Sequence, residues 1–412
     1  MDAILSEIEA GREAAAARFA KELDGWKGGT DGVLLDREAL EFVASGLPPG
    51  TKADIEAAHS NVRAFADAQR RALVDFRVGV APGIEAGQRQ IPVGAAGCYA
   101  PAGRFAHVAS VIMTCATARA AGVRDVTLCL PPFGGAQGPH PAQARAALTA
   151  GADRVLCLGG VQAVASMAFG LFGAPPADVL AGPGNAHVAQ AKRALAERGI
   201  CGIDVFAGPT ESGVLADASA DPFRVATDLV GQAEHGPTSK VVLFSTSRAV
   251  AEEVRDLVPR LCADLGPESA AGAAWRDFGE VLFCRDREVA AAASDDYALE
   301  HLQVMTGCDD WYLERLRDYG SLFLGHGNNV TFGDKCLGPN HTLPTARAGR
   351  FTGGLSVAKF LKTVTWSRAG LDAPGLTTLA PLAASVSRLE GMEGHARSAD
   401  ARDPQRGRTR AL

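Results

Sequence analysis

Two side chains with metal-binding chemistry stand three residues apart near the end of a segment that carries helix signals. Gln232 and His235 fall within Gly231-Gln-Ala-Glu-His-Gly-Pro237. In a helix, residues at this spacing share a face, so an amide oxygen and an imidazole nitrogen would point the same way. Zinc accepts oxygen and nitrogen ligands, but a site would need at least two more from elsewhere. A Gln and a His at a helix end also commonly bond solvent or nearby carbonyls, and the spacing alone leaves both interpretations open.

A carboxylate lies directly beside an imidazole at Glu300 and His301. Proton-transfer sites use such a pair because the two groups hold complementary protonation states near neutral pH. Adjacent Glu-His pairs also occur by chance, so this pair alone is weak evidence for an active site.

Asp334 and His341 lie in a stretch that Gly and Pro residues interrupt, between Phe332 and Pro344. Regular packing does not explain an Asp and a His in such a loop, and loop residues of these types often carry function. The alternative is an Asx-turn at Asp334 with His341 facing solvent.

The segment before the Gln-His pair has the signals of a helix. Asp221 can cap the first N–H groups, Pro222 suits the first turn, and Gly236-Pro237 stops a helix just after His235. Residues 1 to about 75 also have helical spacing of apolar residues, which predicts a supporting helical layer.

From Ile91 onward, short apolar runs that end in Gly or Pro alternate with Ala-rich helical segments, a pattern typical of βαβ units with parallel sheets. We find no convincing repeat between the two series, and infer two α/β units. The predicted strands are Val126–Leu130, Val155–Leu158 and Val179–Ala181, then Val241–Phe244, Val281–Cys284 and Ser321–Leu324.

A Gly-Pro-Gly-Asn turn follows one predicted strand, at Gly182 to Asn185. Ligands of parallel sheets bind beyond the carboxyl ends of the strands, so this turn could approach a phosphate; it could equally be a tight turn. No G-x-G-x-x-G opens a helix, and the residues alone leave NAD undecided.

The last predicted helix begins after Pro374 and carries one apolar stripe. His395 is expected to extend that stripe toward whatever the stripe packs on, and Glu390 lies five residues earlier. The stripe residues are Leu379, Leu382, Val386, Leu389 and Met392.

Composition favours chemistry on a small molecule. The 412 residues are 47% hydrophobic, and 41 basic against 47 acidic residues give a net charge of −6. Charges of both signs are interspersed, which argues against nucleic-acid or membrane-surface binding. The nine cysteines form no C-x-x-C pair, and the sequence shows no export signal or bilayer-spanning run, so we expect reduced thiols in the cytoplasm.

Together, these motifs resemble the histidinol dehydrogenase family over roughly Ile91 to Arg402. The resemblance implies a zinc- and NAD-dependent homodimer that oxidises a primary alcohol through an aldehyde to a carboxylate. It implies that Gln232, His235 and Asp334 bind zinc, with His395 of a second subunit as the fourth ligand.

The resemblance also assigns the remaining roles. Glu300 is similar to the base that activates water for the second oxidation, and His301 to the neighbouring acid/base. The positions that match NAD contacts are Tyr99, Gln162 and Asn185. The positions that match substrate contacts are Thr210, where histidinol enzymes have Ser, together with His341, Glu390 and the four zinc ligands Gln232, His235, Asp334 and His395.

The fold that the resemblance implies is α/β, with two incomplete Rossmann-like parallel-sheet domains and helical segments at both ends, in an intertwined homodimer. The implied boundaries are an N-terminal helical segment at 1–20, a zinc and catalytic domain at 21–98 with 212–355, an NAD-binding domain at 99–211, and a helical dimerisation segment at 356–412.

Two stretches depart from the histidinol pattern. Asn329 to Lys335 replaces a Pro-Glu-Ser run before Gly-Asp-Tyr, and Phe105 to Ser110 replaces Ala-Pro-Leu-Pro-Ser. With Thr352 to Phe360, they look more like the sulfopropanediol 3-dehydrogenase branch, whose substrate is a small sulfonated diol. Candidate anion contacts are Arg104, His107 and Lys335.

The sequence leaves three alternatives open. L-histidinol is the second candidate substrate, and the choice between NAD and NADP is open. A zinc-dependent hydrolase that uses Glu300 to activate water is an alternative of another class. A non-catalytic homologue is disfavoured because each matched catalytic position holds a competent residue.

Overall fold

The computed structural model describes residues 1–102, 105–134, 137–204 and 208–406, and Arg104 therefore lies outside the described residues. The chain divides into two compact units. The first comprises Met1–Arg70 and Val93–Phe360, and the second Arg71–Pro92 and Leu361–Leu412.

Strands and helices alternate along most of the chain. The strands are β1 (Leu34–Leu35), β2 (Phe76–Ala81), β3 (Ile84–Pro92), β4 (Ala95–Tyr99), β5 (Asp125–Cys129), β6 (Arg154–Leu156), β7 (Val179–Ala181), β8 (Gly202–Ile203), β9 (Glu211–Ala216), β10 (Lys240–Ser245), β11 (Gly279–Phe283), β12 (His301–Met305), β13 (Ser321–Leu324) and β14 (Leu361–Ala369). The helices are α1 (Asp2–Asp24), α2 (Arg37–Val43), α3 (Pro49–Ala72), α4 (Val108–Ala121), α5 (Pro141–Ala150), α6 (Gly160–Phe169), α7 (Ala186–Glu197), α8 (Pro222–Ala233), α9 (Arg248–Asp264), α10 (Ala271–Phe278), α11 (Arg287–Tyr297), α12 (Asp309–Arg315), α13 (Val330–Lys335), α14 (Leu376–Leu389) and α15 (Glu393–Asp400), with 3-10 turns at Ala348–Arg350 and Val357–Phe360.

Two parallel sheets form the core of the first unit. The first sheet has the order β1-β6-β5-β4-β7-β8, in which only the short β1 pairs antiparallel among these strands. The second has the order β11-β10-β9-β12-β13 and is parallel throughout. The six predicted strands are confirmed to within two residues at each end, and so is the predicted α/β class.

Helices cover both sheets. Helices α1, α6 and α7 share a buried core with the first sheet, and α4 packs on β4 and β5. In the second sheet, α8, α9 and α10 build one core, and α11 and α12 build another. Within the described residues, no helix is both long and apolar enough to cross a bilayer.

Two implied domain boundaries differ from the strand pairing. The boundary between 98 and 99 falls inside β4, which is buried along its whole length and pairs with β5 and β7 of the first sheet. Strand β1, expected in the catalytic domain, also pairs with the first sheet, through β6. A strand contributes its hydrogen bonds as a unit, so a domain boundary within one is disfavoured.

The second unit contains the three-stranded antiparallel sheet β14-β3-β2 and the helices α14 and α15. The segment 356–412 is therefore not wholly helical, because β14 pairs with β3 along nine residues. The expected continuous C-terminal helix is also wrong. Helix α14 ends at Leu389, Gly391 takes a left-handed φ of 74°, and His395 lies in the separate helix α15.

Candidate active site

The candidate residues of the first unit lie at opposite edges of its two sheets. Tyr99 ends β4, and Gly182 to Asn185 follow β7, which places them at the carboxyl edge of the first sheet. His301 begins β12 and Thr210 directly precedes β9, so these residues lie at the amino edge of the second sheet. The expectation that ligand-contacting residues lie at the carboxyl ends of strands therefore holds for the first sheet and not for the second.

Helix α8 brings the Gln-His pair to this site much as predicted. The carboxylate of Asp221 accepts a hydrogen bond from the Phe223 N–H, and Pro222 occupies the first turn. The helix ends at Ala233, two residues before the histidine, so Gln232 is helical while His235 lies just beyond the helix.

Gln232, His235 and Asp334 line one cavity of about 310 Å³. The Nε2 atom of His235 lies 4.0 Å from Oδ2 of Asp334. The amide oxygen of Gln232 is buried and has no hydrogen-bond partner among the described residues. Burying an amide oxygen without a partner is costly, so this atom is well suited to bind a cation.

The three side chains together fit zinc in part. They supply one imidazole, one carboxylate and one amide, all acceptable to zinc, but a structural or catalytic site commonly has four ligands. Across the described part of the chain, no three His, Cys, Asp or Glu residues form a metal-binding group. Gln232 is not of those types. A four-ligand site would need one further ligand besides the three from this unit.

Asp334 reaches the cavity from α13, which a hydrogen-bond network ties to α8. Asn329 caps α13, and its amide donates to Oδ1 of Asp228 on α8 at 3.2 Å. Gln303, fully buried on β12, donates to the other carboxylate oxygen of Asp228 at 2.8 Å. This network fixes the separation between Gln232 and Asp334.

His301 lies between two carboxylates. Its Nδ1 atom is 3.5 Å from Oε2 of Glu300, and its Nε2 atom is 3.3 Å from Oδ1 of Asp334. All three residues are buried, with Glu300 8% and His301 3% exposed. The Glu211 N–H donates to Oε2 of Glu300 at 3.1 Å and orients that carboxyl.

The surroundings of this trio shift its proton affinities in different directions. Burial raises the pKa of Glu300 to about 7. Burial alone would lower the pKa of His301, but the carboxylates of Glu300 and Asp334 raise it above its usual value. Burial would also raise the pKa of Asp334, but His301, His341 and Lys335 bring it well below its usual range. A strongly ionised carboxylate beside one that titrates near neutrality suits a site with a metal ligand and a general base.

His341 is held by two hydrogen bonds at the same site. Its Nε2 atom is 3.1 Å from Oγ of Ser110, and its Nδ1 atom is 3.0 Å from the Asp334 carbonyl. Burial lowers the pKa of His341 to about 4, so the ring is neutral at pH 7. His341 and Thr210 both line a second cavity, of about 360 Å³, together with Glu300 and His301. The solvent-facing alternative for His341 is therefore wrong.

Two of the three residues matched to NAD contacts line a neighbouring cavity of about 380 Å³. Tyr99 and Asn185 line it, and Gly159 and Gly160 form part of its wall. The phenol of Tyr99 accepts a hydrogen bond from the Gly160 N–H at 3.2 Å. Gln162 is not among the lining residues, because it is fully buried and donates to Asp24 at 2.7 Å.

The Gly-Pro-Gly-Asn turn is shaped for close backbone approach. Gly182 has a φ of 123°, and a Cβ atom there would lie 2.0 Å from the Tyr99 carbonyl oxygen. Asn185 caps α7, and its side-chain oxygen accepts from the His187 and Val188 N–H groups at 3.0 Å each. The turn thus presents a helix N-terminus at the cavity that Asn185 lines, which suits the phosphates of a nucleotide.

Glu390 and His395 belong to the second unit. Glu390 directly follows the last residue of α14 and caps that helix, and His395 lies in α15; both are exposed. Their match to substrate and zinc positions remains a prediction.

Sequence reasoning did not single out Asp228, Glu211 or Asp24, which hold candidate site residues in place. Glu211 follows Thr210 directly, and Asp228 stands one helical turn before Gln232. This spacing was the only available signal for Asp228, since its partners Gln303 and Asn329 are distant in sequence.

The fold is α/β, and comparison with known proteins gives the family. The model of the histidinol dehydrogenase family matches residues 1–403, and the chain belongs to the histidinol dehydrogenase family. It is accordingly an NAD-dependent oxidoreductase that acts on alcohols and aldehydes. The hydrolase and the non-catalytic homologue are set aside.

Individual relatives cover nearly the whole chain. A histidinol dehydrogenase homolog of Ruegeria pomeroyi is 54% identical over 402 residues, which are 97% of this chain and 91% of the relative. A sulfopropanediol 3-dehydrogenase of the same organism is 51% identical over 403 residues, with the same coverage. The crystal structure of histidinol dehydrogenase from Elizabethkingia anophelis has a TM-score of 0.91 at 28% identity, over 97% of this chain and 90% of that one.

Proposed function

We propose that this chain oxidises a small anionic primary alcohol to a carboxylate in two NAD-dependent steps, with a sulfonated propanediol as its preferred substrate. The observation that carries the proposal is that Glu300 and His301 line a cavity which shares His235 and Asp334 with the cavity that Gln232 lines. The family oxidises alcohols to acids with NAD, and one relative at 51% identity is a sulfopropanediol 3-dehydrogenase.

In this proposal, Gln232, His235 and Asp334 hold zinc, and His395 of a second copy supplies the fourth ligand. The unpartnered amide oxygen of Gln232 supports the assignment. When bound, zinc supplies Lewis-acid polarisation of the substrate oxygen.

The proton chemistry falls to His301 and Glu300. In the first oxidation, the alcohol would lose a hydride to NAD and a proton to the neutral form of His301, which leaves an aldehyde. In the second, Glu300 takes a proton from water as the water adds to the aldehyde carbon, and the hydrate loses its hydride to a second NAD. Alcohol, water and two NAD therefore give carboxylate, two NADH and three protons. A base with a pKa of about 7 is well matched to this step.

The cavity at Gln232 favours a small, anionic substrate. Lys335 and His107 line it, and Lys335 takes part in none of the ion pairs found among the described residues. Burial, with Lys335 nearby, lowers the pKa of His107 to about 4, so His107 is a neutral hydrogen-bonding group. Glu234, which also lines this cavity, is acidic, and His107 is neutral. Lys335 is therefore the group assigned to the sulfonate.

L-histidinol is the second candidate, supported by relatives that bear that activity in their names. The histidinol dehydrogenase of Parasynechococcus marenigrum is 38% identical over 402 residues, 97% of this chain and 89% of the relative. The lower identity and the altered stretch from Phe105 to Ser110 favour the sulfonated diol.

The test compares kcat/KM for dihydroxypropanesulfonate and L-histidinol with zinc-loaded protein and NAD. We expect the sulfonate to be preferred, and Lys335→Met to lower kcat/KM for the sulfonate by roughly 10–100-fold, the range for a lost charge-assisted hydrogen bond. Lys359→Met, outside the cavity lining, is the matched control. A preference for histidinol, or equal loss on a neutral diol, contradicts the substrate assignment.

A homodimer is part of the proposal. Within the second unit, the α14 stripe is exposed at Leu379, Leu382, Val386 and Leu389, the last 86% exposed. Contiguous exposed apolar surfaces of this kind commonly mark protein interfaces. A second copy that covers the stripe would place α15, and with it His395, at the interface.

NAD is placed in the cavity that Tyr99 and Asn185 line. The close backbone at Gly182 and the helix N-terminus behind Asn185 support this placement. The same cavity reaches His235, so a nicotinamide at that end would lie beside the substrate.

A further inference from the structure

The first sheet has the strand order of a dinucleotide-binding half. If the strands are renumbered in chain order with β4 as strand 1, the spatial order β6-β5-β4-β7 becomes 3-2-1-4. In proteins with this order, an acidic residue near the end of the second strand accepts a hydrogen bond from the ribose 2′-hydroxyl. Here β5 is followed by Leu130, Pro131 and Pro132, so the strand itself provides no acid.

A carboxylate reaches this position from another element. Asp24 is the last residue of α1, and its Oδ2 atom accepts from the Gly159 N–H at 3.2 Å and from the Gln162 amide at 2.7 Å. A Cβ atom on Gly159 would lie 2.8 Å from Oδ2 of Asp24 and 3.1 Å from Cβ of Pro131. The carboxylate therefore sits beside the ends of both β5 and β6, where Gly159 leaves room for it.

Asp24 also faces the proposed nucleotide cavity. It lines the cavity of about 380 Å³ together with Tyr99, Asn185 and His235. Among the described lining residues there is no Lys or Arg to balance a phosphate. Asp24 is solvent-exposed, and the carboxyl end of α1 adds a partial negative charge.

We propose that Asp24 accepts a hydrogen bond from the adenosine ribose 2′-hydroxyl of NAD and excludes NADP, making it the residue that sets the nucleotide specificity. The proposal rests on the placement of NAD in this cavity. A hydroxyl can donate to the carboxylate, whereas a 2′-phosphate brings between one and two further negative charges against it, and the described lining residues include no Lys or Arg to offset them.

The experiment titrates NADH and NADPH by nucleotide fluorescence with the wild type, Asp24→Asn and the control Glu22→Gln, an exposed acid on the same helix. Asparagine keeps the size of the side chain and an oxygen that can accept from Gly159. We expect the wild type to bind NADH more tightly. Asp24→Asn should shift the ratio of the two Kd values by roughly 100-fold toward NADPH, mainly through tighter NADPH binding. Glu22→Gln should leave the ratio unchanged.

A purely structural role for Asp24 would weaken both nucleotides equally, and that outcome, or an unchanged ratio in a folded variant, overturns the proposal. Asn185→Asp, which keeps the helix cap but adds a charge, separates this failure from failure of the nucleotide placement. If Asn185→Asp weakens NADH while Asp24→Asn leaves the ratio unchanged, only the specificity inference fails. If neither variant affects NADH, the nucleotide lies elsewhere and both fail.

Discussion

A buried ion pair holds the turn that precedes Asn185, and its removal should destabilise the protein measurably. Lys192 on α7 pairs with Asp204 just after β8, with side chains 4% and 0% exposed. The ammonium also donates to the Gly182 carbonyl at 3.0 Å, and Asp204 accepts from the Gly182 N–H at 2.6 Å. Both peptide groups of Gly182 are thus fixed by the pair.

The perturbation is Lys192→Met, which keeps most of the side-chain length and removes the charge. Asp204 would then be buried without its partner, which costs about 3–5 kcal/mol for a pair of this kind. For domains of 150–250 residues, each kcal/mol lowers Tm by roughly 2–4 °C, so we expect a fall of roughly 6 °C or more. Because Gly182 loses one of its two anchors, NADH binding should weaken as well.

Scanning calorimetry and NADH titration measure both effects. The double variant Lys192→Met/Asp204→Asn removes both charges and should recover much of the lost stability, since the asparagine oxygen can still accept from Gly182. Lys21→Met, an exposed lysine on α1, is the control and should change stability by no more than about 0.5 kcal/mol. A Tm for Lys192→Met within 1 °C of the wild type would refute the reasoning.

Three further predictions concern the catalytic site. Glu300→Gln should lower the rate of aldehyde oxidation by roughly 10²–10⁴-fold and alcohol oxidation far less, because only the second step needs an activated water; equal losses in stopped-flow assays of the two half-reactions would count against the assignment. The rate of aldehyde oxidation should rise with pH through about 7, because burial raises the pKa of Glu300 and its ionised form is the active one, and a profile that keeps this inflection in Glu300→Gln would exclude Glu300 as its source. Gln232→Ala and His395→Ala should each be inactive, yet subunit exchange between them should restore activity, since mixed dimers would place both defects in one site; mixed dimers confirmed by mass that stay inactive would show that the site is not shared.

Short-range signals in the sequence predicted much of the fold. Asp221, Pro222 and Gly236 placed α8 to within two residues at its end, because capping and helix termination are local properties. The strands that end in Gly or Pro were found for the same reason. Strand β12, which begins at His301, was not predicted. The Glu-His sequence at its start is typical of an exposed polar pair, but the structure buries both residues.

Long-range contacts explain what the sequence could not provide. Asp24 meets Gln162 across 138 residues, and Asp228 meets Asn329 across 101, so no local spacing identifies either contact. The break between α14 and α15 depends on the left-handed conformation of Gly391, which a continuous apolar spacing concealed.

The amount of NADH formed per molecule of alcohol consumed tests the central claim most directly. Zinc-loaded protein would be given limiting dihydroxypropanesulfonate and excess NAD, with NADH read by absorbance and products by mass spectrometry. We predict two NADH for each alcohol, with sulfolactate as the final product and no activity after chelation until zinc is restored. One NADH with an accumulating aldehyde, or full turnover by protein shown to be free of metal, would contradict the account.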